Sequence, residues 1–320
     1  DLLAIVAIAI GLAGSVAMGV FQVKEGVDAL FGLTGSGTEV ALAIFAVLCL
    51  CFMVPLTLDL GRGMAVLSDA AIIITLGLAM FIVLTGPTHY LMGVIVHSPG
   101  EYFAGVLAHG FRTFSFMDET VGDWFQSWTL TYMVWWLAWA PFVGVFIARV
   151  SKGRTIREYL TGVIFVSTLF SIFWFGVFGG ASFYGVLNHD VPFEDIIRND
   201  VSRATFEMLS YFPLPKLTTV AVVIAAFLFI VTSVVSAAFV LGIFSTGGDL
   251  NPGIRVRLSW GAVLAALELV MILSGSIDAV KSIIALGALP FVFIVMVLAV
   301  CLFRALKAEP EEIESKGADR

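Results

Sequence analysis

The side chains best placed to do chemistry in this sequence are indoles. Five of its seven tryptophans, Trp124, Trp128, Trp135, Trp136 and Trp139, fall where a polar loop gives way to an apolar span. At helical spacing Trp135, Trp139 and Phe142 share one face, with Trp136 about 100° round from Trp135 and Tyr132 one turn before Trp136. An interfacial aromatic belt accounts for Trp124 and Trp128. It does not account for Trp139 and Phe142, which lie about two or three turns deeper. A buried indole needs a partner for its N–H, and its face attracts cations, quaternary ammonium groups among them. Packing and a cation site both stay open at this point.

Glu268 is the other candidate. It falls midway along an apolar run, where an ionised carboxylate costs several kcal/mol unless paired or hydrated. Two readings stand side by side: a protonated or hydrogen-bonded side chain between helices, or a protonatable coupling group. The four histidines, His89, His97, His109 and His189, lie near polar connections. Cys49, Cys51 and Cys301 sit in apolar runs without metal-ligand spacing and read as core thiols. There is no Gly-rich phosphate loop, His-Glu-x-x-His, nucleophile elbow or paired His. The sequence therefore reads as no enzyme and as needing no cofactor. Transport, a channel or a membrane scaffold remain, beside a membrane-embedded cofactor protein that would need convergent His or acidic ligands.

The elements that must position these residues are membrane helices. The chain of 320 residues is 60% hydrophobic and 13% charged, with mean hydropathy +1.03, whereas soluble domains carry about 25% charged residues. A net charge of -7 without a long basic run gives no footing for nucleic acid. Eight apolar runs are long enough to span the hydrocarbon: about 2–23, 39–58, 69–95, 128–149, 159–187, 217–245, 257–275 and 281–305. The expected organisation is one transmembrane domain over 1–307 and a polar acidic tail over 308–320, which reads as disordered.

Basic residues set the expected orientation. Arg62, Arg149, Lys152, Arg154, Arg157, Arg255, Arg257, Arg304 and Lys307 gather on one side, read as cytoplasmic together with both chain ends. Lys24, Arg112, Arg198, Arg203, Lys216 and Lys281 lie on the other, among acids such as Glu101, Asp118, Asp123, Glu194 and Asp200. Residues about 100–122 read as an amphipathic helix on the outer surface, and about 190–213 as a second short external helix.

Trp128-Thr129, Tyr132, Trp135-Trp136, Trp139, Pro141-Phe142-Val143-Gly144, Phe146-Ile147-Ala148-Arg149 and Gly153-Arg154-Thr155-Ile156-Arg157-Glu158 form a pattern that resembles the betaine/carnitine/choline transporter family. Gly11, Ser15, Gly19 and Gln22, Asp59-Leu60-Gly61-Arg62-Gly63, Gly86-Pro87-Thr88, Phe178-Gly179-Gly180, Thr232-Ser233 with Ser236, and Leu289-Pro290-Phe291 agree in order. The resemblance implies an all-α polytopic membrane protein of the leucine-transporter-type inverted-repeat bundle. Here it would comprise about eight transmembrane helices of an expected twelve, a fragment lacking the helices that carry the rest of the substrate site. It further implies a sodium-coupled importer of a quaternary ammonium or zwitterionic osmolyte, a homotrimer in the bacterial inner membrane, and as runner-up a sodium-independent exchanger.

Carried onto this sequence, the resemblance gives Trp136 the trimethylammonium group. Trp135, Trp139 and Tyr132 would line the substrate site, and Phe142 would pack beside a sodium position. Thr232 and Ser233 would offer hydroxyl oxygens to a second sodium, a donor type that suits a hard cation. Without the resemblance, Thr232 and Ser233 read first as helix–helix hydrogen-bonding residues. Three positions depart from the pattern. Leu12 and Ile8 stand where threonines would face a first sodium, Val235 replaces an acid, and Met133 replaces an aromatic. No Arg or Lys lies in the middle of the first run to substitute for the second sodium, so one sodium per substrate is the expectation.

Overall fold

A computed structural model describes residues 2–33, 36–57 and 61–318, without the side chains of 61–63 and 309–318. Asp59, Leu60 and the side chain of Arg62, part of one family-like motif, lie outside the described residues. Among the described residues there is no strand, and eight helices are long and apolar enough to cross a membrane. These are α1 (Leu2–Phe31), α2 (Thr38–Thr57), α3 (Gly61–Thr85), α5 (Glu119–Val150), α6 (Ile156–His189), α9 (Pro215–Ser245), α10 (Ile254–Leu273) and α11 (Ile277–Ala318). Between them lie α4 (Thr88–Gly110) and two short helices, α7 (Phe193–Asp200) and α8 (Ala204–Ser210).

The apolar run at 69–95 is not one helix. It breaks at Gly86-Pro87, where α3 ends and α4 begins. Proline has no N–H to continue the ladder and pushes the residue before it out of the helical region. A side chain at position 86 would also meet the Ile82 carbonyl and the Phe212 ring, both 2.7 Å away. The surface helix expected at about 100–122 is therefore the far half of α4, which starts at Thr88 and stops at Gly110. The segment expected to hold one short helix at 190–213 holds two. At the other end of the chain the backbone of α11 stays helical to Ala318, past the point where the acidic tail reads as disordered; Ala, Glu and Lys all favour helix.

α1 is the helix on which the others converge, packing against α9, α11, α10 and α5. Its inner face is built from small residues, and Ala7, Ala13 and Ala17 are fully buried. Lipid is as apolar as a leucine, so burial alone does not press two spans together; close backbone approach does. Gly11 shows how close: a Cβ there would sit 2.7 Å from the Cβ of Ala138 on α5. Gly14 lies as tightly against Ile284 and Val280 of α11. α2 packs on α10 and α9, α3 on α9, and α4 on α6.

Two spans carry a π-helical turn, Phe125–Leu130 in α5 and Thr161–Val166 in α6. In α5 the turn is sealed at Thr131. Its backbone N–H and its hydroxyl both donate to the Gln126 carbonyl, the hydroxyl at 2.8 Å. One extra residue in the turn rotates Trp124 and Trp128 relative to everything after Thr131, a device common near functional sites.

Candidate functional site

Aromatic side chains of α5 form a ladder in two runs, which meet at a shared hydroxyl of α1. Trp128 stacks on Tyr132 with ring centroids 5.6 Å apart and planes within 4°. Tyr132 meets Trp135 at 5.3 Å. Further along, Trp139 meets Phe142 edge-on at 5.6 Å, and Phe142 meets Phe146 at 6.3 Å. Steps of three and four residues keep these rings on one face of the helix.

A single hydroxyl fixes the middle of the ladder. The indole N–H groups of Trp135 and Trp139 both donate to Ser15 Oγ, at 2.8 and 3.2 Å, and Ser15 in turn donates to the Gly11 carbonyl at 2.8 Å. A hydroxyl has one proton to give and two lone pairs to fill, so Ser15 is fully satisfied. The Gly11–Ala138 approach is what brings α1 within reach of those indoles. These bonds use only the edges of the two rings, which are half-buried against the core.

Trp136 belongs elsewhere. It lies on a different face of α5, is 77% exposed, and takes no part in the ladder. The structure thus brings together Tyr132, Trp135, Trp139 and Phe142, and sets Trp136 apart from them. Phe142 is buried against residues of α1 and α9. On α9, Thr232 is buried and its hydroxyl donates to the Phe229 carbonyl at 3.1 Å, leaving oxygen lone pairs for a cation; Ser233 is half-buried. Leu12 and Ile8 are each 2% exposed within the core, and they offer a cation nothing. Glu268 is fully buried on α10, and neither carboxyl oxygen has a hydrogen-bond partner among the described residues.

Two cations flank the ladder. Near one end the Arg149 guanidinium lies 4.4 Å from the Phe239 ring and donates to Asn251 at 3.3 Å. At the other end Lys281 Nζ lies 4.7 Å from the Trp128 ring centroid and 5.7 Å from that of Tyr132. This second end opens into a cleft of about 1120 Å³ lined by Lys24, Glu25, Trp128, Arg198, Asp200 and Lys281 among others. Ser15 and Lys281 were not singled out as site residues by sequence reasoning. For Ser15 the signal was there, a lone hydroxyl among Gly, Ala and Val. For Lys281 there was none beyond its being a charge near the start of an apolar run.

Fold and sequence together define an all-helical, polytopic integral membrane protein, one span of which carries a ladder of aromatic rings. The sequence matches the betaine/carnitine/choline family transporter pattern over residues 1–311. It is 33% identical to the glycine betaine transporter OpuD of Bacillus subtilis (strain 168) over 98% of this chain and 60% of the relative. It is 31% identical to an ectoine/hydroxyectoine transporter of Virgibacillus pantothenticus, over 98% of this chain and 62% of that one. Against the high-affinity choline transport protein of Escherichia coli (strain K12) it is 31% identical over 100% of this chain and 47% of the other. The chain belongs to the betaine/carnitine/choline transporter family, whose members are transporters rather than enzymes. It spans between 47% and 62% of the length of these relatives.

Proposed function

We propose that the whole protein is a secondary transporter that imports a quaternary ammonium compound or related zwitterionic osmolyte, coupled to sodium. The ladder carries this reading: Trp135 and Trp139 have their N–H groups tied to Ser15, so their faces are held in place for a cation instead of being free to repack. Trp136 would receive the trimethylammonium group from the side that the ladder leaves open. That fits the resemblance, in which further helices supply the rest of the cage.

Sodium is cargo in this scheme. Thr232 and Ser233, with Phe142 nearby, offer the hard oxygen donors for one ion, while buried Leu12 and Ile8 argue against a second. The protein would sit in the bacterial inner membrane with the Arg149 end inside, as a homotrimer that uses the far half of α4. The deciding measurement is uptake of radiolabelled glycine betaine and choline by the full-length gene product in cells lacking their own osmolyte carriers. Uptake that collapses when sodium is replaced by N-methylglucamine is expected. Uptake indifferent to sodium would favour the exchanger, and no uptake of either compound would end the reading.

Glu268 supports a second coupling group. A buried carboxyl without a hydrogen-bond partner among the described residues is the kind of side chain that carries protons in transporters. Glu268→Gln should then flatten the pH dependence of uptake while leaving substrate affinity within about twofold, since no ladder residue is touched. An unchanged pH profile would reduce Glu268 to a structural acid.

A further inference from the structure

Lys281 occupies a place that is costly for a lysine. It is 6% exposed. Its nearest carboxylate, Asp278 Oδ1, is 3.9 Å away on a side chain that is itself 91% exposed. A desolvated ammonium needs compensation. Here that comes from two electron-rich rings: the ammonium lies 4.7 Å from Trp128 and 5.7 Å from Tyr132, which stack on each other. Packing holds it there. Val280 and Ile284 on the same helix are fully buried, and Gly14 of α1 closes directly on both. The end of the ladder that faces the cleft is thus already taken by a cation belonging to the chain.

We propose that Lys281 is a tethered competitor: its ammonium covers the Trp128–Tyr132 faces, and a quaternary ammonium ligand arriving through the cleft gains those rings only by displacing it. The proposal rests on reading the ladder as a path for such ligands. A lysine suits the task because it is a compact charge on a flexible four-carbon stem. Asp278, one turn earlier and almost fully exposed, gives the displaced ammonium a partner in water. A tethered cation also competes at an effective concentration on the order of millimolar or more. Weakly stacking amines and hydrated alkali ions therefore do not dislodge it, whereas a methylated ammonium that stacks strongly does. On this view Lys281 sets a threshold of affinity at the mouth of the path, and selectivity begins before the inner rings are reached.

The test uses purified full-length protein, with tryptophan fluorescence titrated by tetramethylammonium chloride and sodium chloride as the ionic-strength control. Lys281→Met keeps the stem and removes the charge, and should lower the half-saturating concentration by on the order of tenfold, the worth of one desolvated cation–π contact. Lys281→Arg keeps a cation on the rings and should stay within about twofold of the parent. Adding Trp128→Leu to Lys281→Met should abolish the gain. Should Lys281→Met fail to fold, Lys281→Gln carries the same expectation. Folded Met and Gln variants with unchanged or weaker binding would overturn the proposal, as would an Arg variant that behaves like Met. The transport reading is judged apart from this, by uptake. A parent protein that takes up nothing yet shows the predicted titration loses its assignment as a carrier but keeps its tethered competitor.

Discussion

At the scale of single residues, the site depends on one hydroxyl more than on any tryptophan. Ser15 accepts both indole N–H groups. Removing it takes the partner from two half-buried donors, which costs about 1–3 kcal/mol each in the general case and about 0.6 kcal/mol on average for a hydrogen bond between membrane helices. Ser15→Ala should therefore destabilise the protein by roughly 1–2 kcal/mol and raise KM for uptake about five- to tenfold as the rings lose their fixed orientation. Ser15→Thr, which keeps the oxygen, should recover most of both. Thermal unfolding followed by tryptophan fluorescence and uptake kinetics would read the two effects. A Ser15→Ala protein with unaltered KM would show that ladder orientation does not matter. The spacing put Trp135, Trp139 and Phe142 on one face, and they do share it; Tyr132, which the spacing set one turn before Trp136, meets Trp135 instead. Which face Trp136 joins depends on the real helical register after the π turn and on neighbours that the spacing cannot express. Lys281 was invisible for another reason: a charge near a helix end normally reports topology, and only the folded chain brings it over a ring.

At the scale of elements, the decisive contact is α1 against α5. Small residues are abundant in α1, and their abundance could be read as close packing, but not which neighbour each one meets. Gly11 meets Ala138, at a distance that leaves no room for a methyl group. Gly11→Ala should force the two helices apart and cost about 1–3 kcal/mol, the usual penalty of overpacking. The same separation lifts Ser15 away from Trp135 and Trp139, so uptake should fall together with stability. Adding Ala138→Gly moves the methyl from one helix to the other and should restore both within about 0.5 kcal/mol, the ordinary error of additivity. A double-mutant cycle in detergent measures this, and a double variant no better than Gly11→Ala would refute close contact as the cause. Element boundaries were legible at α2, α9 and α10, which begin and end within about three residues of the expected positions. They were not at α1, which runs on through Lys24 and Glu25 to Phe31, nor at α5, which starts at Glu119, ahead of its apolar run. The break at Gly86-Pro87 was hidden too, since hydropathy runs straight across it and only the backbone chemistry of proline interrupts the helix. The end of α11 was obscured in the opposite way, by acidic residues that signal solvent without forbidding helix.

At the scale of the whole molecule, several of the charges that sequence assigned to one side meet in a single cleft. Lys24, Glu25, Glu194, Arg198, Asp200, Asp278 and Lys281 come from three separate stretches of chain and line one cleft. Arg203 reaches within 4.0 Å of Glu25 at the same end. At the opposite end Arg149 on α5 joins Asn251 in the connection before α10. The connection after Arg149 carries Lys152, Arg154 and Arg157, with Glu158 engaged in capping α6 through Thr155. Lys and Arg near span ends orient a membrane protein by their number, acids contributing little, and the sequence puts nine on the Arg149 side against six on the other. The Arg149 end should therefore face the cytoplasm. With Cys49, Cys51 and Cys301 replaced by alanine, Asn199→Cys should react with a membrane-impermeant maleimide in intact cells, because Asn199 lines the cleft. Ser151→Cys should react only after permeabilisation. The reversed pattern would turn the molecule over and make the Trp128 end, with Lys281 upon it, the cytoplasmic mouth, so that the tethered lysine would meet cargo on release instead of on entry.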